Sequence, residues 1–79
     1  MSTYLSVLTN GTVISRIVLP KGVDSSLVSK LGLVKSKTGM YVNIPTMRTI
    51  MEDQGFQVVS EYPVQNDRYC TYAIDYRKG

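Results

Sequence analysis

Leu8-Thr9-Asn10-Gly11-Thr12-Val13, LTNGTV, is the stretch on which the fold turns. Asn-Gly at its centre supplies two residues that tolerate positive φ, as the type I′ turn of a two-residue β-hairpin requires, and β-forming residues flank it. The reading is a hairpin with arms Thr3 to Thr9 and Thr12 to Leu19. Asn10-Gly11-Thr12 also matches a glycosylation sequon, but MSTYLSVLTNGTV has neither the basic start nor the continuous apolar core of a signal peptide, so a turn is preferred. In the second arm, strand alternation sets Val13, Ile17 and Leu19 with Ser15 on one face, and Ile14 and Val18 with Arg16 on the other. That arm is apolar on both faces, which makes Ile14 and Val18 candidates for contact with another chain.

Beyond the hairpin, Pro20-Lys21-Gly22 ends the strand because proline cannot donate to a ladder. Asp24-Ser25-Ser26 offers oxygens to the free amides of a helix start, Leu27, Val28 and Leu31 form one stripe, and Gly32 suits the left-handed residue after the helix. Leu33 to Lys37 and Met40 to Ile44 read as two short strands joined at Thr38-Gly39. Pro45-Thr46 opens a second helix with Thr46 as cap, a buried stripe of Met47, Ile50 and Met51, and Gly55 as its close. Phe56 to Tyr62 reads as a strand. Tyr69 to Tyr76 alternates Tyr69, Thr71, Ala73 and Asp75 against an inner set of Cys70, Tyr72, Ile74 and Tyr76. The order ββαββαββ over residues 1–79 predicts a single α+β domain, a two-layer sandwich with a mainly antiparallel six-stranded sheet and two helices on one face.

A 79-residue chain buries only roughly 60% of the surface its unfolded form exposes, so help from a partner or from self-association is expected. Cys70 is the sole cysteine and there is no histidine, which leaves no intramolecular disulfide and no zinc-ligand spacing and fits a reducing, cytoplasmic setting. No apolar run approaches the roughly 20 residues a membrane helix needs. The net charge of +3 is spread along the chain, short of the clustered basic footprint of a nucleic-acid binder. Lys35 and Lys37 alternate on one short strand, and edge lysines discourage strand aggregation.

Catalytic patterns are missing. No histidine serves as general base, Glu52 and Asp53 are adjacent on a helix and point apart, and Cys70 lies mid-strand with no activating partner. The chain is therefore expected to be non-enzymatic, with no catalytic residue, metal or cofactor. Tyr62, Tyr69, Tyr72 and Tyr76 cluster near Arg68, Arg77 and Lys78; stacking on bases is one use of such a mixture, but tyrosine is also common in subunit contacts, and Tyr72 and Tyr76 are assigned there.

Read end to end, the chain resembles the GTP cyclohydrolase I feedback regulatory protein family. The resemblance is carried by Tyr4-Leu5 followed by Thr9, Lys30-Leu31-Gly32 with Ser36-Lys37, Tyr41-Val42 before Pro45, Gly55-Phe56 followed by Val58 and Ser60, and a basic end to the terminal strand. It implies a six-stranded antiparallel sheet with two helices, assembly as a ring of five, and rings that cap the cyclohydrolase to pass on inhibition by tetrahydrobiopterin and activation by phenylalanine. Gln65 sits where the family has a glutamine near the effector site, and Thr9 matches the end of its first strand. The chain departs from the pattern at Asn10-Gly11, in a shorter Met40 to Pro45, and at the additional Arg68 to Thr71. These fall where partner and effector would be contacted, so Thr9, Asn10, Gly11, Gln65 and Arg68 are the candidate ligand-binding residues. A competing reading keeps the scaffold and gives it a different task, holding and sequestering a small molecule or nucleotide between subunits of a phage or bacterial protein.

Overall fold

The computed structural model describes residues 2–35 and 37–79. Strands β1 (Thr3–Asn10) and β2 (Val13–Val18) form the expected hairpin, helices α1 (Leu27–Lys30) and α2 (Ile44–Asp53) follow in succession, and β3 (Gln57–Pro63) and β4 (Tyr72–Lys78) complete the chain. All strand pairings are antiparallel and the sheet order is β2-β1-β4-β3. The fold is α+β with a four-stranded sheet, and the six-stranded expectation is corrected.

The two missing strands lie between the helices. Val34 and Tyr41 make a single antiparallel bridge, with Lys35 N–H donating to the Met40 carbonyl at 2.6 Å and Val42 N–H to the Leu33 carbonyl at 2.8 Å. Beyond one bridge from Asn43 to Val13 at the β2 edge, this loop adds no strand to the sheet among the described residues, because the residues that would lengthen it are already committed. Leu33 is fully buried, and Asn43 caps α2 by accepting the Thr46 N–H at 2.9 Å, which also moves the cap from Thr46 to Asn43. Lys35 and Lys37 are exposed, whereas Ser36, which carries part of the family resemblance and of the expected strand, lies outside the described residues.

The hairpin turns one residue later than read. Asn10 pairs with Val13, so the two-residue loop is Gly11-Thr12, with Gly11 at φ 63° in the first central position, the place a type II′ turn gives to glycine. The register then shifts between Leu8 and Thr9: Thr9 faces Ile14 and Leu8 faces Arg16, which leaves Ser15 as the extra residue of a β-bulge. Alternation breaks at that residue, and Ile14 turns to the same face as Ile17 and Leu19. Ile14 is 7% exposed in the chain's own core, so its assignment to a subunit contact is corrected.

One face of the sheet carries the core. Leu5 and Val7 of β1, Ile14 of β2 and Ile74 and Tyr76 of β4 pack against Met47 and Met51 of α2, with Leu31, Leu33 and Phe56 closing the sides. Leu27, Val28 and Ile50 add partly buried surface. α1 is too short to persist without this support. Its start is held by Asp24, whose carboxylate accepts the Ser26 N–H at 2.9 Å.

Both helices leave by the same device. At α1, Gly32 N–H reaches the Ser29 carbonyl and Leu33 N–H the Val28 carbonyl; at α2, Gly55 N–H reaches Glu52 and Phe56 N–H reaches Met51. This is the Schellman arrangement, with glycine at φ 79° and 87° and the following apolar residue driven into the core. Gly55→Ala meets only the Lys78 side chain at 3.8 Å, so left-handed backbone strain alone should destabilise the fold, by about 1–2 kcal/mol. A urea denaturation midpoint lowered by a corresponding amount, with unchanged slope, is the expected result.

Candidate functional site

Two clusters of polar chemistry stand on this frame. The first forms where the β1–β2 hairpin meets the connection between β3 and β4. Thr71 N–H donates to the Thr9 carbonyl at 2.8 Å, and Val64 N–H donates to the Thr71 carbonyl at 3.1 Å, which pins the connection to that end of the sheet. Asn66 takes φ 61°, a conformation asparagine tolerates, and Asp67 Oδ1 accepts the N–H groups of Tyr69 at 2.8 Å and Cys70 at 3.0 Å. The Tyr69 N–H, then the Cys70 N–H and the charge of Arg16, hold the Asp67 carboxyl below its ordinary range. An open cavity of about 290 Å³ lies here, lined by Ser15, Arg16, Asp67, Tyr69 and Cys70. Ser15 and Arg16 are brought to it by the bulge in β2.

The second cluster sits between α2 and β3. Arg48, Glu52, Phe56, Gln57, Val58 and Tyr76 line about 330 Å³, and Arg48 Nη2 donates to Glu61 Oε1 at 2.7 Å across its rim. Both side chains of that ion pair are partly exposed, so it contributes at most about 1 kcal/mol. Lys78 Nζ stands 5.8 Å from the centre of the Phe56 ring. Tyr76 is 3% exposed.

The candidate ligand residues divide between these surroundings. Thr9 is buried, with its hydroxyl donating to the Tyr72 carbonyl at 3.4 Å and its own carbonyl taken by Thr71. It serves as a buried joint between strands. Asn10 and Gly11 are exposed at the hairpin tip, and Gln65 and Arg68 are exposed in the connection, but none of them lines either cavity. Asp67 and Tyr69, on either side of Arg68, do so instead.

Of the subunit candidates, only Val18 is well exposed, at 44%. Tyr72 is partly buried against the core and Tyr76 belongs to it, so Tyr76, like Ile14, is corrected to an internal role: the alternation of β4 that points Ile74 inward points Tyr76 inward with it.

The sequence reading missed Arg16, Asp67 and Tyr69 as neighbours. Asp67 followed by two amides within three residues is the usual mark of a side chain folding its own loop, and it was legible. The approach of Arg16 was not, because it depends on the bulge. Among the described residues, no three of His, Cys, Asp and Glu stand close enough to hold a metal ion, and no helix is long and apolar enough to cross a membrane. Guanidinium, carboxylate, phenol and amide groups in these two clusters equip them for hydrogen bonding and ion pairing. No family model, curated protein or solved structure matches this chain.

Burial in the second cluster pushes the Tyr76 phenol above its ordinary value of 10.0, helped by Glu61 and Glu52 and opposed by Arg48. The fold thus favours the neutral phenol. Its contribution is complete below the unfolded value near 10.0 and is lost as pH rises through the higher folded value. Chemical denaturation of wild type and Tyr76→Phe between about pH 9 and 11 should show wild type losing stability faster. Parallel curves would show that Tyr76 ionises as freely in the folded chain as in the unfolded one.

Proposed function

We propose that this chain is a non-catalytic regulatory protein that assembles with copies of itself and acts by contact with a partner enzyme, in the manner of the GTP cyclohydrolase I regulators it resembles. The observation that carries the reading is the unequal dress of the sheet. Helices cover one face over β2, β1 and β4, while the other face has no covering element among the described residues and leaves Tyr4 at 48% exposure, Val18 at 44% and Tyr62 at 44%. Apolar groups exposed on a sheet face that no element covers are what a contact surface presents. The collinear residue pattern adds the kind of partner, and an α+β chain with two helices on one sheet face is compatible with it.

A ring of five that binds GTP cyclohydrolase I, with a small-molecule effector at the contact, is the specific form of the proposal. A second reading, sequestration of a small molecule or nucleotide, is favoured by the cavity of Arg16, Asp67 and Tyr69. That cavity is open and sits near the lower end of the size range of ligand pockets, roughly 300–1,000 Å³, so contact with protein is preferred.

Native mass spectrometry of the purified chain separates the two. A ring that captures GTP cyclohydrolase I supports regulation, a ring carrying a retained nucleotide or pterin supports sequestration, and a bare single chain defeats both. Val18→Glu should weaken assembly tenfold or more, since an unpaired carboxylate in an apolar contact costs more than the about 1.4 kcal/mol that a factor of ten represents. Unchanged assembly would remove this face from the contact.

A further inference from the structure

Strand registers lay out the uncovered face as a grid. Tyr4, Arg77 and Gln57 stand in one row, Val18, Ser6, Asp75 and Ser60 in the next, and Arg16, Leu8, Ala73 and Tyr62 in the third. Asp75 occupies an inner column. The Ser6 hydroxyl donates to its Oδ1 at 2.7 Å and the Ser60 hydroxyl to its Oδ2 at 2.8 Å. Hydroxyls orient a carboxylate without neutralising it. Arg77 lies one row away on the same strand, yet among the described residues no ion pair engages Asp75 or Arg77. The face therefore presents an anion and a cation side by side, unjoined, beside exposed Tyr4, Val18 and Tyr62.

Whatever covers Asp75 must bring it a positive group, because a carboxylate buried without one is strongly unfavourable. A second copy carries that group already. In an isologous contact, residue i of one copy meets j of the other and j meets i. A two-fold axis lying in the contact and crossing the strands between the Arg77 row and the Asp75 row sets each Asp75 against the other copy's Arg77. Face-packed sheets stand about 10 Å apart, a gap that an arginine and an aspartate side chain span together. We infer that the uncovered sheet face is a self-complementary contact between two copies of this chain, closed by reciprocal Asp75–Arg77 ion pairs. The inference rests on the proposal that the chain self-associates and adds the surface and the charges that decide it.

The test uses charge reversal in the full chain, read by native mass spectrometry. An isologous contact joins units in pairs, whether the units are chains or rings, so Arg77→Glu alone and Asp75→Lys alone should each halve the wild-type mass. An equimolar mixture of the two variants should restore it, since every reversed charge then faces its opposite. Wild-type mass in either folded variant, or a mixture that stays apart, overturns the inference. Asp75→Lys also removes the acceptor of two hydroxyls; should it fail to fold, Arg77→Glu decides alone, with halved mass and unchanged far-ultraviolet circular dichroism in favour and wild-type mass against. An odd-numbered wild-type assembly, such as a lone ring of five, overturns this contact and leaves the proposed function standing. A wild type that remains a single chain at every concentration overturns both.

Discussion

The structure depends on a shortage of helix. With four helical residues in α1 and ten in α2, the chain has enough to cover one face of β2, β1 and β4, and it leaves β3 exposed along its length. The side chains of the middle strands are therefore sorted by the face they take: Leu5, Val7, Ile74 and Tyr76 go under α2, and Tyr4, Ser6, Leu8 and Asp75 face the open side. The short helices also explain the two glycine exits. Each helix must stop abruptly and send Leu33 or Phe56 straight down into the core, and the Schellman geometry does both in two residues.

Bulges complete the sorting at the edges. In β2 the extra Ser15 turns Ile14 inward and Arg16 outward, and in β3 the register shift around Val59 turns Val58 toward Tyr76 while Ser60 faces Asp75. An edge strand that changes register is a poor template for a foreign strand, and the Val13–Asn43 bridge occupies part of the β2 edge as well. The edges are thus blunted while the open face is left broad. That contrast leaves the face, more than the strand edges, open to contact.

The sequence made much of this legible. Asn-Gly located the hairpin to within one residue, the apolar stripe of Met47 and Met51 identified α2, and the alternation of Tyr72, Ile74 and Tyr76 identified the inner side of β4. What it concealed has a common cause. A period-two pattern carries no mark at the place where a bulge interrupts it, so Ile14 read as outward. Leu33 to Lys37 and Met40 to Ile44 had strand-like composition, but composition does not report that Leu33 is committed to the core and Asn43 to a helix cap. Gln65, Arg68 and the hairpin tip lie at the surface, and the nearby cavity is lined instead by Asp67, Tyr69 and Arg16, whose meeting is tertiary.

The central pair of strands, β1 with β4, joins distant residues such as Ser6 and Asp75, 69 positions apart along the chain. On a ribosome adding about 5–20 residues per second, β1 and β2 wait on the order of several seconds before their neighbour emerges. Through that interval Leu5 and Val7 have a hairpin behind them and nothing above, and a lone two-stranded hairpin is marginal in water. The sheet is thus committed to late closure, in which β1 gains its main partner only after both helices and β3 have been made.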